Sequence, residues 1–477
     1  MPDTTRNPRA SLVESIPVGL ESLRGTPAVQ YSEDVLVRLT QAAQSTIDLT
    51  AMYWALLPDP KGTDEQGFTD EQFRQMGAES GRALYAALYD AAQRGVSIRI
   101  LQSPGFSGQQ QESDTLREQF PERISIHEID MGKWYGGGIM HQKIWIFDSV
   151  HLYLGSANMD WKSLMQVKEM GVAVEDCPEL AADATRYFDS WWAFSALSPK
   201  NQEAFDPAVR IDRRVPSWSS LVAASKRSQS PLADKYATKY CKHTPLRLAL
   251  NGEQCGIFLS GCPQEVLGNG RTWDGEALVH TIDDAQKSVC ISVMDFAPAG
   301  LYSRPSAGPP VGAEGIIPTD TPVWWPLLTD ALLSAVLTRK VYVRLLVSKW
   351  AHTSALIEPM LRALQSTADA GRADPYMSSG QLEIKLFMVP GWNSTTGSNR
   401  KFPGHTRVNH TKYIVTDRRI NIGTSNMTWD YFASTAGSSF NTDHSALVCT
   451  LQSVFDRDWA SPYAYRLSIN EWRFPSL

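Results

Sequence analysis

The stretch Met140–Trp161, MHQKIWIFDSVHLYLGSANMDW, decides how this chain is read. His141, Lys143 and Asp148 frame an apolar run, and Gly155-Ser156-Ala157-Asn158 follows. The pattern returns in Asn409–Trp429, NHTKYIVTDRRINIGTSNMTW, where His410, Lys412 and Asp417 keep the same spacings. One such triplet arises by chance in a chain of this length with a probability on the order of a few per cent; two in matching contexts are far rarer. A strand turns residues two apart to one face, so each histidine is expected to project with its lysine. Asp148 and Asp417 end their strands, where a carboxylate can anchor a loop or a cation.

Outward from these motifs, the chain says everything twice. AQSTIDLTAMYW (43–54) and AQKSVCISVMDF (285–296) each read as a helix end running into a buried strand. GRALYAALYDAAQRGVSIRILQS is answered by WWPLLTDALLSAVLTRKVYVRLLVS, and RISIHEID by LEIKLFMVP. Each motif closes on a helical stretch such as ELAADATRYFDSWWAF. Strand and helix alternating in both halves predict mixed α/β sheets covered by helices. The halves are placed at 1–200 and 245–477, with a polar linker at 201–244. Residues 57–72 and the Pro/Gly-rich 298–322 read as loops, the second one able to overhang a cleft.

Composition narrows the field. With 477 residues, two domains are expected. A net charge of −6 argues against indiscriminate adhesion to nucleic acid, though not against a local basic groove. No run of 18 apolar residues predicts a spanning helix. The first residues lack a signal-peptide pattern, so the expectation is a cytoplasmic protein or a lumenal, endolysosomal one without its targeting segment. Six scattered cysteines form no CxxC pair. Cys255 and Cys262 are close enough to bridge, but free thiols are favoured. Of three sequons, at Asn393, Asn409 and Asn426, two fall inside the second motif. A glycan on Asn409 would block a cleft beside His410.

Two imidazoles and two ammonium groups facing one another suit a phosphodiester. Lysines supply fixed positive charge to its anionic oxygens. One imidazole attacks phosphorus to form a phosphohistidine, and the other protonates the leaving oxygen and then activates water or an alcohol. On this reading no metal or other cofactor is required. Asn158 and Asn426, with Ser156 and Thr424, are candidates to hold the phosphate oxygens; turn formation is the less favoured alternative for the asparagines.

The paired H-x-K-x4-D with its downstream G-[ST]-x-N resembles the phospholipase D superfamily. LVESIP, GSANMDWKSLMQVKEMGV, VNHTKYIVTD and FDRDWASPY resemble its lysosomal branch containing phospholipases D three and four, from about Leu12 to Tyr463. The resemblance implies a duplicated fold of two α/β sandwich lobes, the active site at their pseudo-twofold interface and a phosphohistidine intermediate. It implies 5′-exonuclease action on single-stranded DNA or RNA, or transphosphatidylation of lipids, and leaves room for a homodimer. Glu169, in VKEMGV, is carried over as the carboxylate that orients His141, which favours His141 as nucleophile and His410 as general acid. TAGSSFNT offers no carboxylate at the comparable place in the second half. Tyr53, Trp54, Trp161, Phe296 and Trp429 are candidates to stack bases, with core packing as the alternative. The expected substrate is single-stranded nucleic acid, with phospholipid as the alternative and a noncatalytic scaffold as the third reading.

Overall fold

The computed structural model describes residues 7–104, 111–132, 137–196, 233–302, 323–373 and 378–467. The linker segment 201–232 and the loop segment 303–322 lie outside the described residues.

Two mixed sheets carry the chain. The first has eight strands in the order Val29–Tyr31, Arg9–Ser15, Glu169–Glu175, His151–Gly155, Ile144–Phe147, Thr46–Ala51, Ser97–Gln102, Ile124–Glu128. The second repeats that order with Glu253–Cys262, Gly437–Thr442, Ile420–Gly423, Lys412–Thr416, Ser288–Val293, Tyr342–Ser348 and Gln381–Phe387. It adds Leu246–Leu250 and Ala464–Arg466 at its edges. Even the short parallel strand beside Arg9–Ser15 has its counterpart, Thr272–Trp273 beside Glu253–Cys262.

The register follows from composition. Ile144–Phe147 and Lys412–Thr416 are buried throughout, as strands sandwiched between layers must be. The helices Ser32–Ala42 and Asp274–Asp284 turn Val35, Leu36 and Leu39, and Ala277, Leu278 and Ile282, onto their sheets. One apolar cluster runs without a break from Ile144, Leu154 and Val172 of the first lobe into Ile257, Ile422 and Phe440 of the second. The lobes are therefore joined by core, not merely by chain.

Paired backbone contacts across this seam carry the pseudo-twofold. Met140 bridges Ala436, and Lys168 bridges Asn409. His141 N donates to Ala436 O at 3.0 Å, and His410 N to Lys168 O at 2.8 Å. Beside it, the Lys168 ammonium meets Asp458 at 2.7 Å with both groups buried. Arg457 of the second lobe reaches Glu14 of the first. Such buried pairs add little net stability but punish misregistration, because a displaced partner leaves a charge stranded. Among the described residues no helix is long and apolar enough to cross a membrane.

Candidate active site

Each motif is fixed by its own strand entry. In the second lobe the strand begins at Lys412; in the first it begins at Ile144, so His141 and Lys143 precede the regular ladder rather than sit on it. In both, the lysine Nζ donates back to its own histidine's carbonyl, at 2.9 Å for Lys143 and 2.6 Å for Lys412. The seam then brings residues 269 apart in number together, and the His141 and His410 rings lie 6.3 Å apart, edge to face. That spacing admits one phosphate between them.

The two rings open on a cavity of about 430 Å³, also lined by Asn158, Glu169, Tyr53, Asp64, Lys162, Trp350, His405 and Tyr431. Of the eleven residues expected from sequence, His141, His410, Asn158 and Glu169 line this cavity. Lys143, Lys412 and Asn426 lie buried directly behind it.

Four others do different work. Asp148 accepts from the backbone N–H groups of Gln44, Ser45 and Thr46, and Asp417 from those of Gln286, Lys287 and Ser288. These bonds pull both carboxyls below the ordinary range, although partial burial opposes them. Both aspartates are thus loop anchors, outside the reaction centre. Ser156 Oγ is spent on Met170, accepting its N–H at 3.0 Å and facing its carbonyl at 3.2 Å. Thr424 Oγ1 accepts the Ser438 N–H at 3.0 Å. Both hydroxyls lock neighbouring strands, and that of Ser156 is used as donor and acceptor alike.

Glu169 requires the main correction. It is buried and faces His410, with Oε1 and Oε2 each 2.9 Å from His410 Nδ1, so it supports the histidine of the opposite lobe rather than His141. Ser163 Oγ donates to it at 2.5 Å and holds it there. The strand that carries it runs along the seam, and only the fold says which ring lies across. Among the described residues no carboxylate bonds His141; the Thr424 backbone and the edge of Tyr431, at 5.1 Å, lie beside it.

Burial governs the electrostatics. It drives the His141 pKa well below the imidazole range, and Lys143, Lys412 and His410 push the same way. His410 falls to about 4, burial outweighing the opposing Glu169 carboxylate. Lys412 falls to about 7 for the same reason, with Glu169 and Asp295 opposing. Lys143 is also well lowered, by burial and by Lys412. The centre gathers four basic groups that burial biases toward their neutral forms, and an incoming phosphodiester supplies the negative charge that favours their protonated ones.

Two features escaped the sequence reading. Asp295 is buried and raised to about 6, accepting from Tyr302 Oη at 2.5 Å and from Asn426 Nδ2 at 3.2 Å. Aligning AMYW with VMDF would have shown it standing where the first half has Tyr53. The second is the loop that reads as polar filler, 57–72. It supplies Asp64 and Glu65, which with Asp160 surround the Lys162 ammonium at 4.0, 3.2 and 3.7 Å. Of the aromatics proposed to stack bases, Trp54, Trp161, Phe296 and Trp429 are core, and Tyr53 spends its hydroxyl on Asp160 at 2.8 Å. All six cysteines are free, Cys255 and Cys262 included. Asn409 and Asn426 are buried, which closes both sequons to a glycan in the folded chain.

A duplicated α/β fold that delivers one His-Lys pair from each lobe to a shared cavity is the architecture of the phospholipase D class. The family model described as "PLD3/4, PLD-like domain" matches residues 68–391, and the chain belongs to that family. It is 33% identical over 462 residues to the human 5'-3' exonuclease PLD3, covering 96% of this chain and 80% of that one. It is equally 33% identical over 457 residues to phospholipase D Z of Dictyostelium discoideum, covering 95% and 90%. Among solved structures, a phosphatidylserine synthase from Haemophilus influenzae superposes with a TM-score of 0.51 at 13% identity, covering 91% of this chain and 85% of that one.

Proposed function

We propose that this protein is a phosphodiesterase acting through a phosphohistidine, and that it removes nucleotides from the 5′ end of single-stranded DNA or RNA. The observation that carries the chemistry is the 6.3 Å pairing of His141 with His410 over one cavity, with two buried lysines behind. The substrate reading is supported by the relatives named as 5'-3' exonucleases.

The carboxylate's position supports one assignment of the roles. His410 Nε2 attacks phosphorus while its Nδ1–H donates to Glu169, which stabilises the positive charge the ring acquires on forming the N–P bond. The P–O bond to the departing 5′ oxygen breaks, and His141 gives that oxygen its proton. His141 then takes a proton from water, whose oxygen attacks phosphorus and breaks the N–P bond. Lys143 and Lys412 stabilise the phosphoryl oxygens, and Asn158 and Asn426 orient them. This reverses the assignment the sequence favoured.

The test offers the protein a labelled single-stranded oligonucleotide with a 5′-hydroxyl, and phosphatidylcholine vesicles with an added alcohol. Both run in chelator at pH 5 and pH 7.5, with His141→Ala and His410→Ala alongside. Stepwise release of 3′-mononucleotides that survives chelation is the expected result. Headgroup exchange with no oligonucleotide cleavage would move the protein to the phospholipase reading, the one that the Dictyostelium relative's name favours.

A further inference from the structure

One part of the cavity wall is built from flat rings that phosphoryl transfer does not use. His405 and Trp350 both line the cavity. The His405 ring stacks on His352, centroids 4.6 Å apart and planes within 10°. Trp350 meets both edge-on, at 4.8 Å from His352 and 6.2 Å from His405. Its indole N–H is buried without a partner among the described residues.

The ring of His405 is held deliberately. Its backbone lies in the left-handed region at φ 56°, and Arg407 two residues on does the same at 57°. Non-glycine residues pay for that conformation, and such strain gathers at functional sites. Four bonds to the other lobe enforce it. Gly404 N donates to Asp64 O at 2.8 Å, Arg400 donates to Thr63 O and Gln66 O at 2.7 Å each, and Arg407 donates to Val18 O at 2.8 Å. A side chain at 404 is excluded, because a Cβ there would lie 2.4 Å from Asp64 Oδ1. His405 Nδ1 rests 2.9 Å from Asp64 Oδ2, which fixes the ring's azimuth. With one face on His352 and one edge on Asp64, the His405 side chain is still 56% exposed.

A rigid ring with an open face, beside a reaction centre, suits another flat ring. The carboxylates of Asp64, Glu65 and Asp160 around Lys162 make a poor seat for a second phosphate, and ring nitrogens make a poor one for an acyl chain. We propose that His405, backed by His352 and flanked by Trp350, is the stacking platform for the nucleobase adjoining the scissile phosphate. This rests on the nucleic-acid reading. Such a platform predicts base-tolerant binding, because every base has a π face.

The experiment compares two p-nitrophenyl phosphodiesters, one of thymidine 3′-phosphate and one of methyl phosphate, which lacks a base. Wild type should show a KM about tenfold lower for the thymidine ester, within the range of a single base–aromatic stack. His405→Ala should raise that KM about tenfold, change kcat less than about twofold and bring the two esters together. His405→Phe should restore the preference, because it returns the flat face without the Asp64 contact. Trp350→Ala should act in the same direction, with a thermal melt to exclude unfolding. Retention of the full thymidine preference by His405→Ala would overturn the platform. So would equal KM values for both esters in wild type. Failure of the nucleic-acid reading looks different: neither ester nor oligonucleotide is cleaved while phosphatidylcholine is.

Discussion

Glu169–Glu175 in the first lobe and Gly437–Thr442 in the second are equivalent strands, each paired to the second hairpin strand of its own motif. One opens with a buried carboxylate and the other with no side chain at all. Everything around that position is matched: the lysine-to-carbonyl bonds, the aspartate loop anchors, the hydroxyl locks of Ser156 and Thr424, and the crossing backbone bonds of His141 and His410. A duplicated fold supplies two of every part, so a two-step reaction needs only one asymmetric residue to separate the two histidines. The seam crosses the parts over, so that the first lobe's carboxylate equips the second lobe's imidazole.

The comparison breaks most sharply at the histidines. His410→Ala should lose roughly 10⁴-fold or more in kcat on any ester, since no N–P bond can form. His141→Ala should lose about 10²–10⁴-fold on oligonucleotides yet keep a first-turnover burst of p-nitrophenol on a p-nitrophenyl ester, whose leaving group needs no proton, before the unassisted water step slows turnover. The opposite pattern in these assays would return the nucleophile to His141.

Next comes the odd strand position. Glu169→Gln should cost roughly 10²-fold in kcat by loosening His410 and withdrawing support for its charge. The reverse transplant is barred: a Cβ on Gly437 would lie 2.2 Å from Ser425 Oγ and 2.6 Å from Cys262 Sγ. Even Gly437→Ala should therefore lower unfolding stability by about 1–3 kcal/mol in a denaturant titration.

The pH profile sharpens the same point. With His410 near 4 and required neutral, kcat/KM should rise through about pH 4. His141, the general acid, must be protonated and is held well below the ordinary imidazole value, so the fall should begin under that value, ahead of the Lys412 limb near 7. Glu169 raises His410, so Glu169→Gln should slide the rising limb to lower pH. Stability has its own sign. Lys412 binds its proton less well folded than unfolded, so stability should climb as pH rises from about 7 toward the ordinary lysine value.

The smallest effect on rate is expected where the lobes agree. Asp148→Ala and Asp417→Ala should each lower stability by about 1–3 kcal/mol, through orphaned backbone N–H groups, and leave kcat of the folded fraction unchanged. An activity loss confined to one of them would show that the two anchors are not equivalent.

How much of this was written in the chain differs by feature. Element order and the His-Lys pairs were legible because duplication repeats spacing, and spacing on a strand fixes which way side chains point. The direction of Glu169 was not, because its partner lies 241 residues away across a seam that no periodicity encodes. Ser156 and Thr424 misled for a related reason: a hydroxyl beside a motif reads as a ligand until the adjacent strand claims it. Asp295, Trp350 and His405 follow their strands or sit in loops, where a residue's surroundings are set by what folds over it.

The crossed support has a consequence for synthesis. Glu169 emerges from the ribosome long before His410, with 241 residues still to be made. At cellular elongation rates that is a wait of roughly 10–50 s. Through that interval the finished first half exposes one face of its core, with Lys168 and Glu169 on it and no counterpart yet translated. A nascent chain in this condition is a client for chaperones, and a ribosomal pause inside the second half would lengthen its exposure.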